Sequence, residues 1–208
     1  MVGKPACAHS HDLDFTLVAG ARVVVLASGS GTLAQAIFDA SATQGDFEVV
    51  ALITDKPRAA VVERALIAGV DVHVIPVSDF DTRDEWDAEL CRRLLFLAPD
   101  LIVSAGFMRL IGTAVLAQFE GNIINSHPSL LPAFPGGHAV ADALAAGVMH
   151  TGATVHLVDS GMDTGRVLVQ VVEEVRADDS VDTLHERIKV KERQLIVEVI
   201  RQQLANHE

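Results

Sequence analysis

Three polar side chains have the types and spacing needed for acyl-group transfer. Asn125 and His127 are two residues apart at the end of an apolar, strand-like run, so both side chains point to the same face. Asp163 follows in a short segment between Gly161 and Gly165, which allow sharp turns. An amide can donate to a developing oxyanion, an imidazole can move or supply a proton, and a carboxylate can orient the imidazole. These three residues are the predicted catalytic group.

A second candidate site is the glycine-rich turn at residues 28–31, between a β-branched run and a helical stretch. Free backbone N–H groups and the positive end of a helix dipole would form an anion site there, most naturally for a phosphate. The spacing of Gly29, Gly31 and Ala34 also fits a loose dinucleotide fingerprint, with Asp55 where a ribose-binding acid would lie. A nicotinamide-binding protein is therefore one alternative, and a tight turn without a ligand is another.

Apolar runs of strand length alternate with stretches at helical spacing. The predicted strands are 21–28, 47–54, 71–77, 100–106 and 121–127, and the helices between them are 32–43, 58–69, 81–97 and 112–119. This alternation predicts an α/β fold with an open, mostly parallel sheet and helices on both faces. Adjacent strands at 152–159 and 166–175 form a predicted antiparallel addition, and a helix at 180–204 follows. In such sheets ligands bind at the carboxyl ends of the strands, which here carry residues 29–35, 106–111 and 125–135.

Composition limits the class of protein. The chain has 208 residues, half of them hydrophobic, which favours one domain at 21–208 after a mobile leader at 1–20. A formal net charge of −12 argues against non-specific nucleic-acid binding. The sequence has no apolar run long enough for a transmembrane helix and no signal-peptide pattern at its start. Cys7 and Cys91 follow no ligand or disulfide spacing, so a cytoplasmic protein is predicted.

The chain resembles the phosphoribosylglycinamide formyltransferase family, from about residue 22 to 204, in SGSG (28–31), AGFMR (105–109), NSHPSLLPAFPG (125–136) and TGATVHLVDSGMDTG (151–165). The resemblance implies formyl transfer from 10-formyltetrahydrofolate, a co-substrate, to the amine of glycinamide ribonucleotide in purine biosynthesis. It also implies direct transfer, without a formyl-enzyme or a metal. Asn125 and protonated His127 would stabilise the oxyanion, while Asp163 keeps His127 protonated and helps the proton pass.

The resemblance also implies where the nucleotide binds. Gly31, Thr32 and Leu33 match the segment that holds the nucleotide phosphate. Many family members carry Asn where this chain has Leu33, so the backbone N–H groups would carry more of the binding. Glu192 matches a carboxylate that contacts the ribose or amine side of the nucleotide; a solvated charge on the last helix is the alternative for it.

The folate site is implied by a separate set of residues. The segment formed by Met108, Arg109, Leu110 and Ile111 matches the lining of the folate pocket, and Asn125 belongs to the same site. Arg83 and Arg109 would attract the acidic glutamate tail of the folate, although Arg83 could equally be an ordinary surface charge on its helix. Residues of about 21–120 are thus expected to bind the nucleotide, and those of about 100–208 to carry catalysis and folate binding.

Two related activities are alternatives. A relative that formylates methionyl-tRNA would need a further C-terminal RNA-binding domain and a basic surface, and formyltetrahydrofolate hydrolases carry an extra N-terminal regulatory domain. The length and acidity of this chain disfavour both, so the expected partners are small molecules only, with no nucleic acid and no membrane. The apolar helix at 112–119 and its flanking loops suggest a homodimer.

Overall fold

The computed structural model describes residues 20–205, so all of the predicted leader except Gly20 lies outside the described residues. Its elements in chain order are β1 (Ala21–Leu26), α1 (Thr32–Gln44), β2 (Phe47–Thr54), α2 (Ala60–Ile67), β3 (Val72–Val74), α3 (Arg83–Leu97), β4 (Leu101–Ser104), α4 (Thr113–Phe119), β5 (Ile123–His127), α5 (Ala139–Ala145), β6 (His150–Leu157), β7 (Val167–Glu174) and α6 (Val181–Ala205). No helix within this range is long and apolar enough to cross a bilayer.

The strands form one sheet in the order β3-β2-β1-β4-β5-β6-β7. The neighbouring strands β3, β2, β1, β4 and β5 all run parallel to one another, whereas β6 runs antiparallel to β5 and to β7. The predicted parallel sheet with antiparallel additions is therefore confirmed. The strand order reverses between β1 and β4, and a crevice opens at the carboxyl ends of strands at such a reversal.

Both faces of the sheet are covered by helices. Val23 and Val25 of β1 pack toward α1, α2 and α6, while Val24 and Leu26 pack toward α3 and α4. All four side chains are fully buried, which explains why the strand has a continuous apolar sequence rather than an alternating one.

Two predicted boundaries were wrong for identifiable reasons. The third strand ends at Val74 instead of residue 77, because Pro76 has no N–H for the ladder and begins a 3₁₀ turn. The third helix begins at Arg83 rather than residue 81, because Thr82 caps it. The Thr82 hydroxyl accepts from the Glu85 N–H, and the Glu85 side chain accepts from the Thr82 N–H.

Two short helices also differ from expectation. α5 was not predicted, because seven residues, Ala139–Ala145, are too few to show a helical period beside a proline-rich loop. α4 lies where it was predicted, but Val115 and Phe119 pack into the core. The apolar residues of α4 therefore do not supply the surface on which the homodimer prediction was based.

Candidate active site

The carboxyl ends of β1, β4 and β5 border one cavity of about 500 Å³. It lies at the crevice where the strand order reverses, and the three strand ends singled out from the sequence all contribute to its walls. Of the predicted site residues, those lining it are Gly31, Thr32, Leu33, Met108, Arg109, Leu110, Ile111, Asn125, His127, Asp163 and Glu192. Arg83 is the one predicted residue that does not line it.

The three predicted catalytic side chains lie together at one end of this cavity. His127 Nδ1 is 3.4 Å from Asp163 Oδ2, and its Nε2 is 2.8 Å from the Phe134 carbonyl oxygen. Asn125 Nδ2 donates to Asp163 Oδ1 at 3.4 Å. Because both nitrogens of His127 face oxygen acceptors, an imidazolium donates to both, whereas a neutral ring donates to only one. Contacts of 3.4 Å are long for such pairs and commonly tighten when a substrate binds.

His156 belongs to the same cluster. In the sequence it shares a strand face with Thr154, a pattern that fits either a satisfied, half-buried histidine or one that supports the pocket. It is 2% exposed, and its Nε2 lies 3.2 Å from Asn125 Nδ2 and 3.5 Å from Asp163 Oδ1. Its Nδ1 is 2.8 Å from the Leu157 carbonyl oxygen and donates to it. Nε2 thus accepts from Asn125 when the ring is neutral and donates to Asp163 when the ring is protonated.

Asp163 is held as a carboxylate by its surroundings. The hydrogen bond with His156 contributes most to lowering the pKa of Asp163, and the Gly136 N–H and the charges of His127 and His156 add to it; burial acts in the opposite direction. The Gly136 N–H donates to Oδ2 at 2.8 Å. Asp163 itself has a left-handed backbone with φ of 56°. Asp and Asn are among the residues that adopt this conformation most readily.

This lowered pKa predicts a pH-dependent contribution to stability. A depressed carboxyl pKa stabilises the fold fully above the unfolded value of about 3.9 and loses that contribution as pH falls through the folded value. We expect the difference in unfolding free energy between wild type and Asp163→Asn at pH 5 to shrink as the pH falls below about 4. Denaturant unfolding of both proteins across this range measures it. A difference that stays constant down to pH 3 would contradict the lowered pKa.

The proline-rich loop after His127 is anchored to β6 and β7. The Thr154 hydroxyl donates to the Ser129 carbonyl at 2.6 Å and accepts from the Leu131 N–H at 3.1 Å. Gln170 Nε2 donates to the Leu131 carbonyl at 2.8 Å. These bonds fix the loop that places the Phe134 carbonyl against the His127 ring.

The glycine-rich turn presents the start of α1 to the cavity. Gly31 occupies the N-cap position with φ of 73°, a left-handed conformation that glycine adopts without a steric penalty. A β-carbon there would lie 2.6 Å from Val61 Cβ and 2.8 Å from Val61 Cα. Arg64 Nε donates to the Ser30 carbonyl at 2.8 Å, which ties the turn to α2. The start of α1 therefore offers unpaired backbone N–H groups to an anion.

Asp55 has a different role from the one a nicotinamide-binding protein would need. Its side chain is completely buried, with Oδ1 accepting from the Ser28 hydroxyl at 2.6 Å and Oδ2 from Arg109 Nε at 2.8 Å. The Ser28 oxygen in turn accepts from the Met108 N–H at 3.1 Å. Asp55 thus anchors the segment that begins at Met108, and its carboxylate is not available to a ribose.

Arg83 lies beside the cavity rather than in its wall. Its guanidinium carbon is 4.5 Å from the centre of the Trp86 ring, and Nη2 donates to the Leu110 carbonyl oxygen. Trp86 is a fully buried core residue. Arg83 therefore supports the rim formed by Leu110 and carries its charge close to the cavity entrance.

Helix α6 contributes three further side chains to the cavity. Glu192 was expected there, but Lys189 and His185, one and two turns earlier, were not. Burial raises the pKa of Glu192, against opposing effects of the Ser126 hydrogen bond and the Lys189 and Arg193 charges. In the sequence, the only sign that His185, Lys189 and Glu192 lie on one face of the helix is their spacing of i, i+4 and i+7.

The lining suits a ligand with both apolar and charged parts. Met108, Leu110 and Met162 are more than half exposed at the cavity wall, and such side chains pack well against a flat ring. The turn before α1 would attract an anion, and the Lys189 ammonium, which also pairs with Glu186 at 2.7 Å, lines the same cavity. Across residues 20–205, no three His, Cys, Asp or Glu side chains are grouped to hold a metal ion.

Comparison with known proteins agrees with this geometry. The formyl transferase family model matches residues 21–200. A phosphoribosylglycinamide formyltransferase of Mycobacterium tuberculosis is 50% identical over 183 residues, which are 88% of this chain and 84% of that protein. A Drosophila melanogaster trifunctional purine biosynthetic protein, adenosine-3, is 44% identical over 80% of this chain, although the match spans only 13% of that protein.

The fold is shared with solved structures as well. The crystal structure of glycinamide ribonucleotide transformylase 1 from Symbiobacterium toebii superposes with a TM-score of 0.88 at 39% identity. The superposition covers 91% of this chain and 90% of that one. The match therefore extends over the sheet, the cavity and α6, and the chain belongs to the formyl transferase family.

Proposed function

We propose that this protein transfers the formyl group of 10-formyltetrahydrofolate to the amine of glycinamide ribonucleotide, giving formylglycinamide ribonucleotide and tetrahydrofolate in de novo purine biosynthesis. The observation that carries the proposal is the convergence of Asn125, His127 and Asp163 on the cavity that the glycine-rich turn also borders. In this proposal, an anion site and an oxyanion-stabilising group lie within reach of one small substrate. The named relatives support the same reaction.

In the proposed reaction, the amine nitrogen of the nucleotide attacks the formyl carbon and forms a tetrahedral intermediate. Asn125 Nδ2 donates to its oxyanion, the positive charge of the protonated His127 ring stabilises it, and Asp163 keeps that ring oriented. The bond between the formyl carbon and the folate nitrogen then breaks, and the proton lost by the amine passes to that nitrogen. Transfer is direct, and none of these steps needs a covalent formyl-enzyme or a metal.

The nucleotide is proposed to bind across the start of α1 and the middle of α6. Backbone N–H groups at Gly31, Thr32 and Leu33 hold the phosphate, because the Leu33 side chain has no polar atom to contribute. Lys189 lines the same cavity and adds a positive charge. Glu192 accepts from the ribose or amine side of the nucleotide.

The folate is proposed to bind along residues 108–111, with Asn125 at its reactive end. Ile111 is buried, whereas Met108 and Leu110 are exposed to the cavity and can contact the ring system. Arg83 at the rim attracts the glutamate tail. Arg109 contributes less charge than the sequence suggested, because Asp55 already neutralises it. Residues of about 21–120 thus supply the phosphate site, those of about 100–208 supply catalysis and most of the folate site, and Glu192 of α6 is added to the nucleotide site.

The anchoring role of Asp55 gives a prediction for folate binding. Asp55→Asn keeps the size of the side chain but removes the charge that holds Arg109, so the segment at 108–111 becomes less well fixed. We expect the KM for the formyl folate to rise about tenfold, the loss typical of a hydrogen bond to a charged group, with little change in the KM for the nucleotide. Steady-state kinetics measure both constants. Asp39→Asn, on the exposed side of α1, is the control, and an equal rise in both KM values would contradict the prediction.

The proposed reaction is tested by following the absorbance change of the deformylated folate with glycinamide ribonucleotide and a 10-formyl folate. A sample without nucleotide and the His127→Ala variant run in parallel. Turnover that needs the nucleotide and disappears in the variant supports the proposal. Folate loss without nucleotide would indicate a hydrolase, and no turnover in either sample would refute the transfer reaction.

The proposal also includes a cytoplasmic location, small-molecule partners only, and a homodimer. The homodimer has less support from α4 than its sequence suggested, because Val115 and Phe119 are buried in the core and Leu116 is partly buried against it. Light scattering at assay concentration measures the oligomeric state, and a monomer would contradict this part of the proposal.

A further inference from the structure

Ser126 lies between two of the catalytic residues in β5 but faces the opposite side of the sheet. Because side chains alternate along a strand, Asn125 and His127 share one face and Ser126 shares the other with Ile124. That second face is covered by α6. The Ser126 hydroxyl donates to Glu192 Oε1 at 2.7 Å. The two residues are 66 positions apart, so only the packing of α6 brings them together.

The position and the charge of the Glu192 carboxylate depend strongly on its hydrogen bond with Ser126. Glu192 is 6% exposed and Ser126 is 7% exposed. Within residues 20–205 the Ser126 hydroxyl is the only hydrogen-bond donor to that carboxylate. Lys189 and Arg193 of α6 act on it only through their charges. A buried carboxylate with few donors is costly to keep ionised, so removal of the hydroxyl would leave it poorly compensated.

We propose that Ser126 is a positioning residue: its hydroxyl holds one oxygen of Glu192 and leaves the other to accept from a hydroxyl or ammonium group of the nucleotide. This inference rests on the proposed function, because it assigns a substrate to Glu192. The same short strand thereby aligns the catalytic side chains on one face with the nucleotide-binding acid on the other. A displacement of Glu192 would therefore weaken nucleotide binding without disturbing the folate site.

A matched pair of variants separates the hydroxyl from the shape of the side chain. Ser126→Thr keeps the hydroxyl donor. Ser126→Val has the same branched shape as the Thr variant but has no hydroxyl. Ser126→Ala removes the hydroxyl without adding volume. We expect Ser126→Val and Ser126→Ala to raise the KM for glycinamide ribonucleotide about tenfold, and Ser126→Thr to stay within about twofold of wild type. The KM for the formyl folate should change less than about twofold in all three.

A second measurement does not depend on turnover. Titration of the Glu192 side-chain carboxyl, followed by ¹³C NMR, should give a higher pKa in Ser126→Val and Ser126→Ala than in wild type, since a donor to the ionised form is lost. Ser126→Thr should titrate as wild type does. A merely structural role of Ser126 would lower the Tm without moving this titration.

The outcomes are distinguishable. If wild type turns over the nucleotide but Ser126→Val and Ser126→Ala leave its KM unchanged, the positioning role is refuted and the proposed reaction stands. If all three variants titrate as wild type does, the hydrogen bond does not act on Glu192. If wild type shows no nucleotide-dependent turnover, the proposed function fails and the inference fails with it, whatever the titration shows.

Discussion

Asp163→Asn is expected to lower kcat by a factor of about 10² to 10³, the loss typical of removing one group that stabilises a developing oxyanion. The carboxylate lies 3.4 Å from His127 Nδ1 and is held by Gly136 and His156. An amide at the same place has no negative charge with which to stabilise an imidazolium. The His127 ring would therefore lose its charge partner at the step that forms the oxyanion.

The Asn variant tests the charge with little change in structure. Asp163 has a φ of 56°, and Asn adopts this left-handed conformation at a lower energetic cost than Ala. We therefore expect a Tm change of no more than about 4 °C for Asp163→Asn, and a larger loss for Asp163→Ala. Near-normal kcat in the Asn variant, with the fold intact, would remove Asp163 from the proposed mechanism.

Gly31→Ala is expected to destabilise the protein by about 3 kcal/mol, since overpacking and a left-handed alanine each cost about 1–3 kcal/mol. The new β-carbon would meet Val61 Cβ at 2.6 Å and Val61 Cα at 2.8 Å. The backbone of α2 would have to move, and the start of α1 would move with it. Nucleotide binding should weaken at the same time, with the KM for the nucleotide rising at least about tenfold.

Gly29→Ala is the matched control for stability. Gly29 lies two residues earlier in the same turn, and a β-carbon there would have no atom within 4 Å. We expect its unfolding free energy to stay within about 1 kcal/mol of wild type. Denaturant unfolding and nucleotide kinetics on both variants measure the difference. Equal stability of the two variants would show that the turn can rearrange and that the Gly31 conformation is not required.

The bounds of an element were predicted well where its sequence has a strong hydrophobic pattern. The β-branched run that became β1 and the sustained helical spacing of α6 were assigned within two residues at either end. Boundaries that depend on a single residue were less predictable, because Pro76 ends β3 and Thr82 begins α3. α5 is stabilised by packing Val140 against Ile188 and neighbouring residues, a tertiary contact without a local signal.

The candidate site was predictable where its residues share a motif, as Asn125 and His127 do. It was not predictable where two distant elements meet. The Asp55 carboxylate fits a ribose-binding position in the sequence, yet it pairs with Arg109, 54 residues away. His156 looked like an ordinary strand residue, because its contact with Asp163 depends on the antiparallel placement of β6 beside β5. The sequence did not indicate a role for Ser126, because its hydrogen bond to Glu192 depends on the packing of α6 against β5.

The packing of α6 also constrains the order of events during synthesis. The core on the β1, α1 side is completed by Leu195, Ile196, Val199 and Ile200, whereas its other walls come mostly from the first half of the chain. While the ribosome is still making the final helix, Val23, Val25 and the apolar side of α1 lack their cover. The nascent chain therefore exposes an apolar surface until α6 has been made, and chaperone binding would be of most use during that interval.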